Sequence, residues 1–269
     1  MARTFDLATR FLPGPVRRDV RRLYLVLRTL DDLVDEGDPG ADLAVAQVGA
    51  WVRDGAVAGR EATILADLAA RHPLLPRDAV GDFLDGMRAD LAGPAHRTAA
   101  DLDLYCYRVA GTVGRLMAAV LGVREGRAAD ADAAARALGC AMQRTNIVRD
   151  LVEDARGGRI YLDDAALAAA GIDPADAARL LADRTALSPE ARAVLVGGQV
   201  ARAEADYAAG LAGIGALRSG GRAIAAAARM YREIGRQVVR EEHGARRDRV
   251  VISGPRKALL VARALIRPD

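Results

Sequence analysis

The 269-residue chain reads as an all-α fold, a single-domain helical bundle. Ala, Leu and Arg dominate the composition, and all three are strong helix formers. Aromatic residues, which strands favour, make up only 4% of the chain, too few for a sandwich or a barrel. Apolar residues recur at helical spacing between short breaks, and almost no stretch alternates as a strand would. Length alone would allow two domains, yet no repeat or flexible linker divides the chain.

Each element follows from this punctuation. Pro13-Gly14-Pro15 is a hard stop, and the periodicity predicts a helix from about Val16 to Glu36, closed by Gly37-Asp38-Pro39-Gly40. Helical spacing resumes over Leu43–Val52 and Ile64–Leu68, and Pro73 and Pro76 bracket the next break. A helix from about Asp78 to Leu91 ends at Gly93-Pro94, and another is predicted from Asp101 to Leu121. One long helix from Asp130 to Ala155 stops at Gly157-Gly158, and short helices are predicted near Ala165 and over Pro174–Asp183. Pro189–Leu217 and Arg222–Glu242 are the last long ones. Arg249–Ser253 reads as irregular, with a terminal basic helix from Pro255.

The totals exclude several classes. Two cysteines, Cys106 and Cys140, sit in apolar helical patterns and read as reduced core thiols, not a disulfide scaffold. Three scattered histidines without CxxC or HExxH make no zinc site. There is no signal-like apolar region and no run long enough to span a bilayer, so the chain is expected in the cytoplasm. Net charge is +3, but residues 222–269 hold twelve basic and five acidic side chains, a net of +7 that leaves the rest at −4. Such a basic end suits an anionic membrane surface or anionic substrates. With no stacking-aromatic pattern or nucleic-acid motif, no nucleic-acid partner is expected.

Two acidic clusters stand out. Asp31-Asp32-Leu33-Val34-Asp35-Glu36 ends the first long helix, and i,i+4 spacing puts Asp31 and Asp35 on one face. Asn146, Asp150 and Asp154 repeat that spacing near the end of the predicted helix 130–155. Carboxylates at helix C-termini oppose the macrodipole, and like charges one turn apart repel. Both clusters are therefore expected to strain their helices, so that losing a charge should cost activity more than stability. The chemistry that would justify them is hard-cation binding: Mg²⁺ takes carboxylate oxygens and bridges to substrate phosphates. Arg28, Arg149 and Arg159 accompany the clusters, with guanidinium forks suited to phosphate, and Gln143 extends the polar stripe by one turn.

These residues carry a family resemblance. Thr4-Phe5, Phe11-Leu12-Pro13 and Leu23-Tyr24-xxx-Arg28-xx-Asp31-Asp32-Leu33-Val34-Asp35-Glu36 resemble the opening of squalene/phytoene synthases. Tyr105-Cys106-Tyr107-Arg108-Val109-Ala110-Gly111-Thr112-Val113-Gly114 does so too. So does Gln143-xx-Asn146-Ile147-Val148-Arg149-Asp150-xx-Glu153-Asp154-xxxx-Arg159-Ile160-Tyr161-Leu162. Met230-Tyr231 and Arg249-Val250-xxx-Ser253-xxx-Lys257 extend the match, which spans about residues 3–260.

The resemblance implies an isoprenoid-synthase bundle around a central cavity and a prenyltransferase that couples two prenyl diphosphates head-to-head. It implies Mg²⁺, with Mn²⁺ as the alternative ion, at Asp31 and Asp35 on one wall and at Asn146, Asp150 and Asp154 on the other. Thr4, Tyr24, Arg28, Gln143, Arg149, Arg159, Tyr231 and Arg249 would contact the isoprenoid diphosphate. Tyr105 and Tyr161 would line the path of the allylic cation, which aromatic faces stabilise by about 0.5–2 kcal/mol. Ala110, Gly111 and Gly114 would either admit a prenyl chain to the backbone or allow close helix packing. No dinucleotide fingerprint is present, so NADPH is not expected to quench the last cation. Substrate and product are lipids, and the basic C-terminal region is expected to touch a membrane peripherally.

The chain departs from the family pattern at two places. The family usually carries a serine-bearing stretch before the first Phe, where this chain reads Met1-Ala2-Arg3-Thr4-Phe5; Arg21 replaces an apolar or aromatic residue one turn before Tyr24. An enzyme needing one diphosphate pocket, moving a prenyl group to an aromatic acceptor, is therefore the alternative reading. A non-catalytic, membrane-associated scaffold is the alternative of another class.

Overall fold

A computed structural model describes residues 12–91, 96–183, 185–241, 252–254, 256 and 260, without the side chains of residues 35 and 91. Helices α1 (Gly14–Asp35), α2 (Ala41–Asp54), α3 (Gly59–Arg71) and α4 (Arg77–Leu91) form the first half. α1 starts with Pro15 in its first turn, where the missing N–H costs nothing. It buries Val20, Leu23, Leu27, Leu30 and Val34, a three-and-four stripe that turns one face inward. Each of those leucines contributes roughly 1.5–3 kcal/mol by leaving water. The stripe meets Val48 and Trp51 of α2, Leu65 and Leu68 of α3, and Leu84 of α4. The Arg77 guanidinium lies 4.8 Å from the centre of the Trp51 ring.

The second half is organised by one long helix. α5 (Ala99–Cys106) passes through a π-helical turn (Tyr107–Gly111) into α6 (Thr112–Leu121), and α7 follows (Ala128–Arg149). α8 (Leu151–Arg156), α9 (Asp164–Ala169), a 3₁₀ turn (Pro174–Asp176) and α10 (Ala177–Leu181) are short. α11 (Pro189–Ala212) and α12 (Gly221–Arg240) close the bundle, and α7 packs against α5, the π turn, α6, α11 and α12. Among the described residues the only extended pairing is an isolated bridge, Val123 with Leu217, consistent with the strand-poor sequence.

Two predicted helices differ in detail. The helix expected over 101–121 is continuous but widens at Tyr107–Gly111, where hydrogen bonds close over five residues. The helix expected over 130–155 breaks at Asp150 (φ −103°, ψ 11°), which ends α7 and opens α8. No Gly or Pro marks the break, which falls where Arg149 and Asp150 pair side by side. The packing here also settles the role of one motif glycine: a Cβ on Gly114 would lie 2.1 Å from the Ala135 carbonyl oxygen, and one on Gly139 of α7 would lie 2.2 Å from that of Ala110. Close packing of α7 on α6 and the π turn, not access for a prenyl chain, requires Gly114. Cys106 is buried and Cys140 half-buried, both as free thiols. The irregular stretch and terminal helix expected from Arg249 onward lie largely outside the described residues.

Candidate active site

Four elements distant in sequence bring most of the predicted residues together. Tyr24, Arg28, Asp31 and Asp35 lie along one face of α1, since seven residues are nearly two full turns. Arg28, one turn after Tyr24, has its guanidinium on Asp31 (3.1 Å) and Asp32 (2.5 Å). At the end of α7, Arg149 pairs with both oxygens of Asp150, through Nε at 2.8 Å and through Nη2. Both side chains are largely buried, with 10% and 15% exposure. Burial would lower the Arg149 pKa, but the Asp150 carboxylate holds it above its ordinary value.

Tyr231 of α12 completes this group. Burial raises its pKa, the Arg149 guanidinium beside its hydroxyl opposes that, and the Asp150 and Tyr24 side chains push it up again. Tyr24, Arg149, Asp150 and Tyr231 therefore share one electrostatic neighbourhood, drawn from α1, α7 and α12. One turn up α7, the Asn146 side-chain amide donates to Gln143 Oε1 at 3.3 Å. Asn146 Oδ1 is buried and accepts no hydrogen bond from the described residues.

The second group lies below the break. Asp154 is on α8, its N–H bonded to the Asp150 carbonyl at 2.8 Å. Burial pushes its carboxyl up to about 6, with the Asp150 and Glu153 carboxylates adding to the rise and Arg159 and Arg149 opposing it. The break alters one expectation: Glu153 and Asp154 fall in the first turn of a new helix, where the macrodipole favours carboxylates. Beyond it, Tyr161 stacks on Tyr105, ring centres 5.1 Å apart. Burial pushes Tyr161 up to about 12, and it drives Tyr105 well above the ordinary phenol range. The Tyr105 hydroxyl donates to Asp90 Oδ2 at 3.3 Å.

Two members of this group escape sequence reasoning. Asp90, near the end of α4, has no motif spacing to mark it. His96 lies between two helices as one of three scattered histidines, yet its ring centre is 5.0 Å from Tyr105 and 6.4 Å from Tyr161. Thr4 and Arg249 lie outside the described residues, as does the side chain of Asp35. Arg21 is exposed on α1, so its departure from the family pattern does not fill the core.

The helical bundle, with its acidic and arginine-bearing helix ends, is consistent with an all-α prenyltransferase of the isoprenoid-synthase type. The sequence pattern of squalene/phytoene synthases matches residues 1–256, and the chain belongs to that family, whose members couple prenyl diphosphates head-to-head into phytoene- and squalene-type products. A 15-cis-phytoene synthase of Enterobacter agglomerans is 37% identical over 281 residues, covering 97% of this chain and 90% of its own. Chloroplastic phytoene synthase 2 of Solanum lycopersicum is 30% identical, over 99% and 88%. A crystal structure of a dehydrosqualene synthase in complex with ligand superposes with a TM-score of 0.84 at 27% identity, over 98% and 91%.

Members of the family are Mg²⁺-dependent. Among the described residues, no three His, Cys, Asp or Glu side chains are grouped to hold a metal ion. The oxygen donors present fit one nonetheless. Asn146 Oδ1 is a buried acceptor without a donor among those residues, and the Asp150 and Asp154 carboxylates follow it at one-turn intervals.

Proposed function

We propose that this chain, acting as one domain, ionises an allylic prenyl diphosphate and joins it head-to-head to a second, ending the reaction by proton loss. The observation that carries the reading is the meeting of Tyr24, Arg149, Asp150 and Tyr231 from three helices, two of them joined in a buried ion pair. Arg28, Arg149 and Arg159 would bind the diphosphate, with Thr4, Tyr24, Gln143, Tyr231 and Arg249 as hydrogen-bonding partners. Asn146, Asp150 and Asp154 on one wall, and Asp31 and Asp35 on the other, would hold Mg²⁺. When bound, the ion would supply the charge neutralisation that lets diphosphate leave.

The chain's own groups prepare the rest. The Arg149 guanidinium is fixed by Asp150 before substrate arrives, so a phosphate oxygen meets an oriented fork. Tyr105 and Tyr161 present stacked faces next to Asp154, where a cation leaving the diphosphate would pass. Their phenols, pushed upward by burial, keep their protons and do not capture the cation.

Incubation with farnesyl or geranylgeranyl diphosphate, separately and with Mg²⁺, tests the reading. Diphosphate release with a hydrocarbon of two fused prenyl chains is expected by mass spectrometry. Release only when an aromatic acceptor is added, giving a prenylated aromatic, would replace this reading with single-prenyl transfer. No release from any C10–C20 allylic diphosphate would leave a scaffold.

A further inference from the structure

We propose that the His96 imidazole is the base that takes the final proton from the carbocation. The inference rests on the coupling reaction proposed above. His96 is held in place from both sides. Its carbonyl accepts the Asp164 N–H at 3.1 Å, and two residues on, Thr98 and Asp101 close a capping box at the start of α5. The ring is thereby set against the Tyr105–Tyr161 stack.

Its Nε2 is buried and has no hydrogen-bond partner among the described residues. A buried imidazole nitrogen is ordinarily given one, so an orphan at the edge of a candidate reaction path points to a transient partner. The other groups of the cluster are poor bases for the task. Tyr105 and Tyr161 stay protonated, and Asp90, which takes the Tyr105 hydroxyl on Oδ2, is a carboxylate and so ordinarily a weaker base than a neutral imidazole. Burial keeps His96 neutral against the Asp101 and Asp163 carboxylates that face it, leaving a lone pair available.

The step balances simply. A proton on the carbon next to the cationic centre passes to Nε2, and its C–H electron pair becomes the second bond of the new alkene. The imidazolium then gives one proton to water between turnovers and returns to the neutral tautomer with its lone pair on Nε2.

The test is His96→Phe, which keeps a stacked ring without a base. Mg²⁺-dependent diphosphate release should stay within about threefold of wild type, while hydrocarbon yield falls on the order of 100-fold in favour of water-quenched alcohol. Added imidazole should restore part of the yield to His96→Ala. Unchanged hydrocarbon yield in His96→Phe would overturn the assignment and leave the ring a packing role. If neither variant folds, the wild-type enzyme decides. Hydrocarbon per diphosphate released should fall as pH drops through and below the ordinary histidine range, and a flat ratio would overturn the assignment. A wild-type enzyme that releases no diphosphate overturns the coupling reading and this one together.

Discussion

Asp150 and Asp154 belong to one motif, yet their surroundings give them opposite effects on stability. Asp154 has a carboxyl raised from 3.8 to about 6, chiefly by burial. The folded chain therefore keeps a proton that the unfolded chain releases between those values. The resulting stability is present at low pH and is lost as pH rises through about 6. At pH 7 the ionised group is a liability, so Asp154→Asn should stabilise the metal-free protein by about 1–2 kcal/mol after solvent screening. A raised Tm at pH 7 that returns to the wild-type value below pH 4, with turnover abolished, is the expected result. Asp150 is instead the counter-charge of a largely buried guanidinium. Asp150→Asn leaves Arg149 without it and should lower stability by roughly 1–3 kcal/mol in urea titrations, besides abolishing turnover. The buried Arg149–Asp150 pair argues against the expectation that losing this charge costs little stability. The residue types and spacing were legible in the sequence. The sign of each contribution depends on burial and on a neighbour's fork, which one-dimensional spacing does not carry.

At the scale of elements, helix order was readable because Gly and Pro punctuate it, and the exceptions are instructive. The break at Asp150 falls in a stretch, Asn146–Glu153, that holds several weak helix formers but no Gly or Pro to mark where a helix would end. What coincides with the break is the pairing of two chain neighbours, Arg149 and Asp150. The π turn is likewise invisible to periodicity, since one widened turn shifts the apolar pattern too little to register. The roles of Gly114 and Gly139 could be narrowed only by knowing which helix lies opposite. Their backbones touch α7 and the π turn so closely that Gly114→Ala must push two helices apart. Overpacking costs about 1–3 kcal/mol, which exceeds the ~1 kcal/mol that Ala gains over Gly in helix propensity. A lower urea midpoint with an unchanged slope would show it. His96 joins the tyrosines from a segment with no periodicity, a non-local meeting that only the folded chain reveals.

For the whole molecule, the division of charge between the chain's last 48 residues and the remainder has a consequence for where it works. Among the described residues no helix is long and apolar enough to cross a membrane. The C-terminal region, net +7, is expected to bring the chain to anionic lipid by electrostatics, at about 1 kcal/mol per basic side chain near the surface. Sedimentation with phosphatidylserine vesicles should show binding at low salt that is lost at about 0.5 M, where screening shortens the reach of each charge. Absence of binding at low salt would count against membrane contact. Glu233 ties part of this region back to the bundle: buried in α12, it accepts from Arg240 at 2.7 Å and from Arg256 at 3.0 Å.

The widened turn at Tyr107–Gly111 has a bearing on how such a chain tolerates insertions and deletions. A π turn is an α-helix carrying one surplus residue. Removing one residue there would let the hydrogen bonds close over four residues again, while Tyr105 and Thr112 keep their faces. The same excision in the middle of α7 would rotate everything after it by 100° and carry Asn146, Arg149 and Asp150 off the wall they share. The two helices of one motif therefore differ in how far a single lost codon propagates: in one it stays local, in the other it dismantles the site.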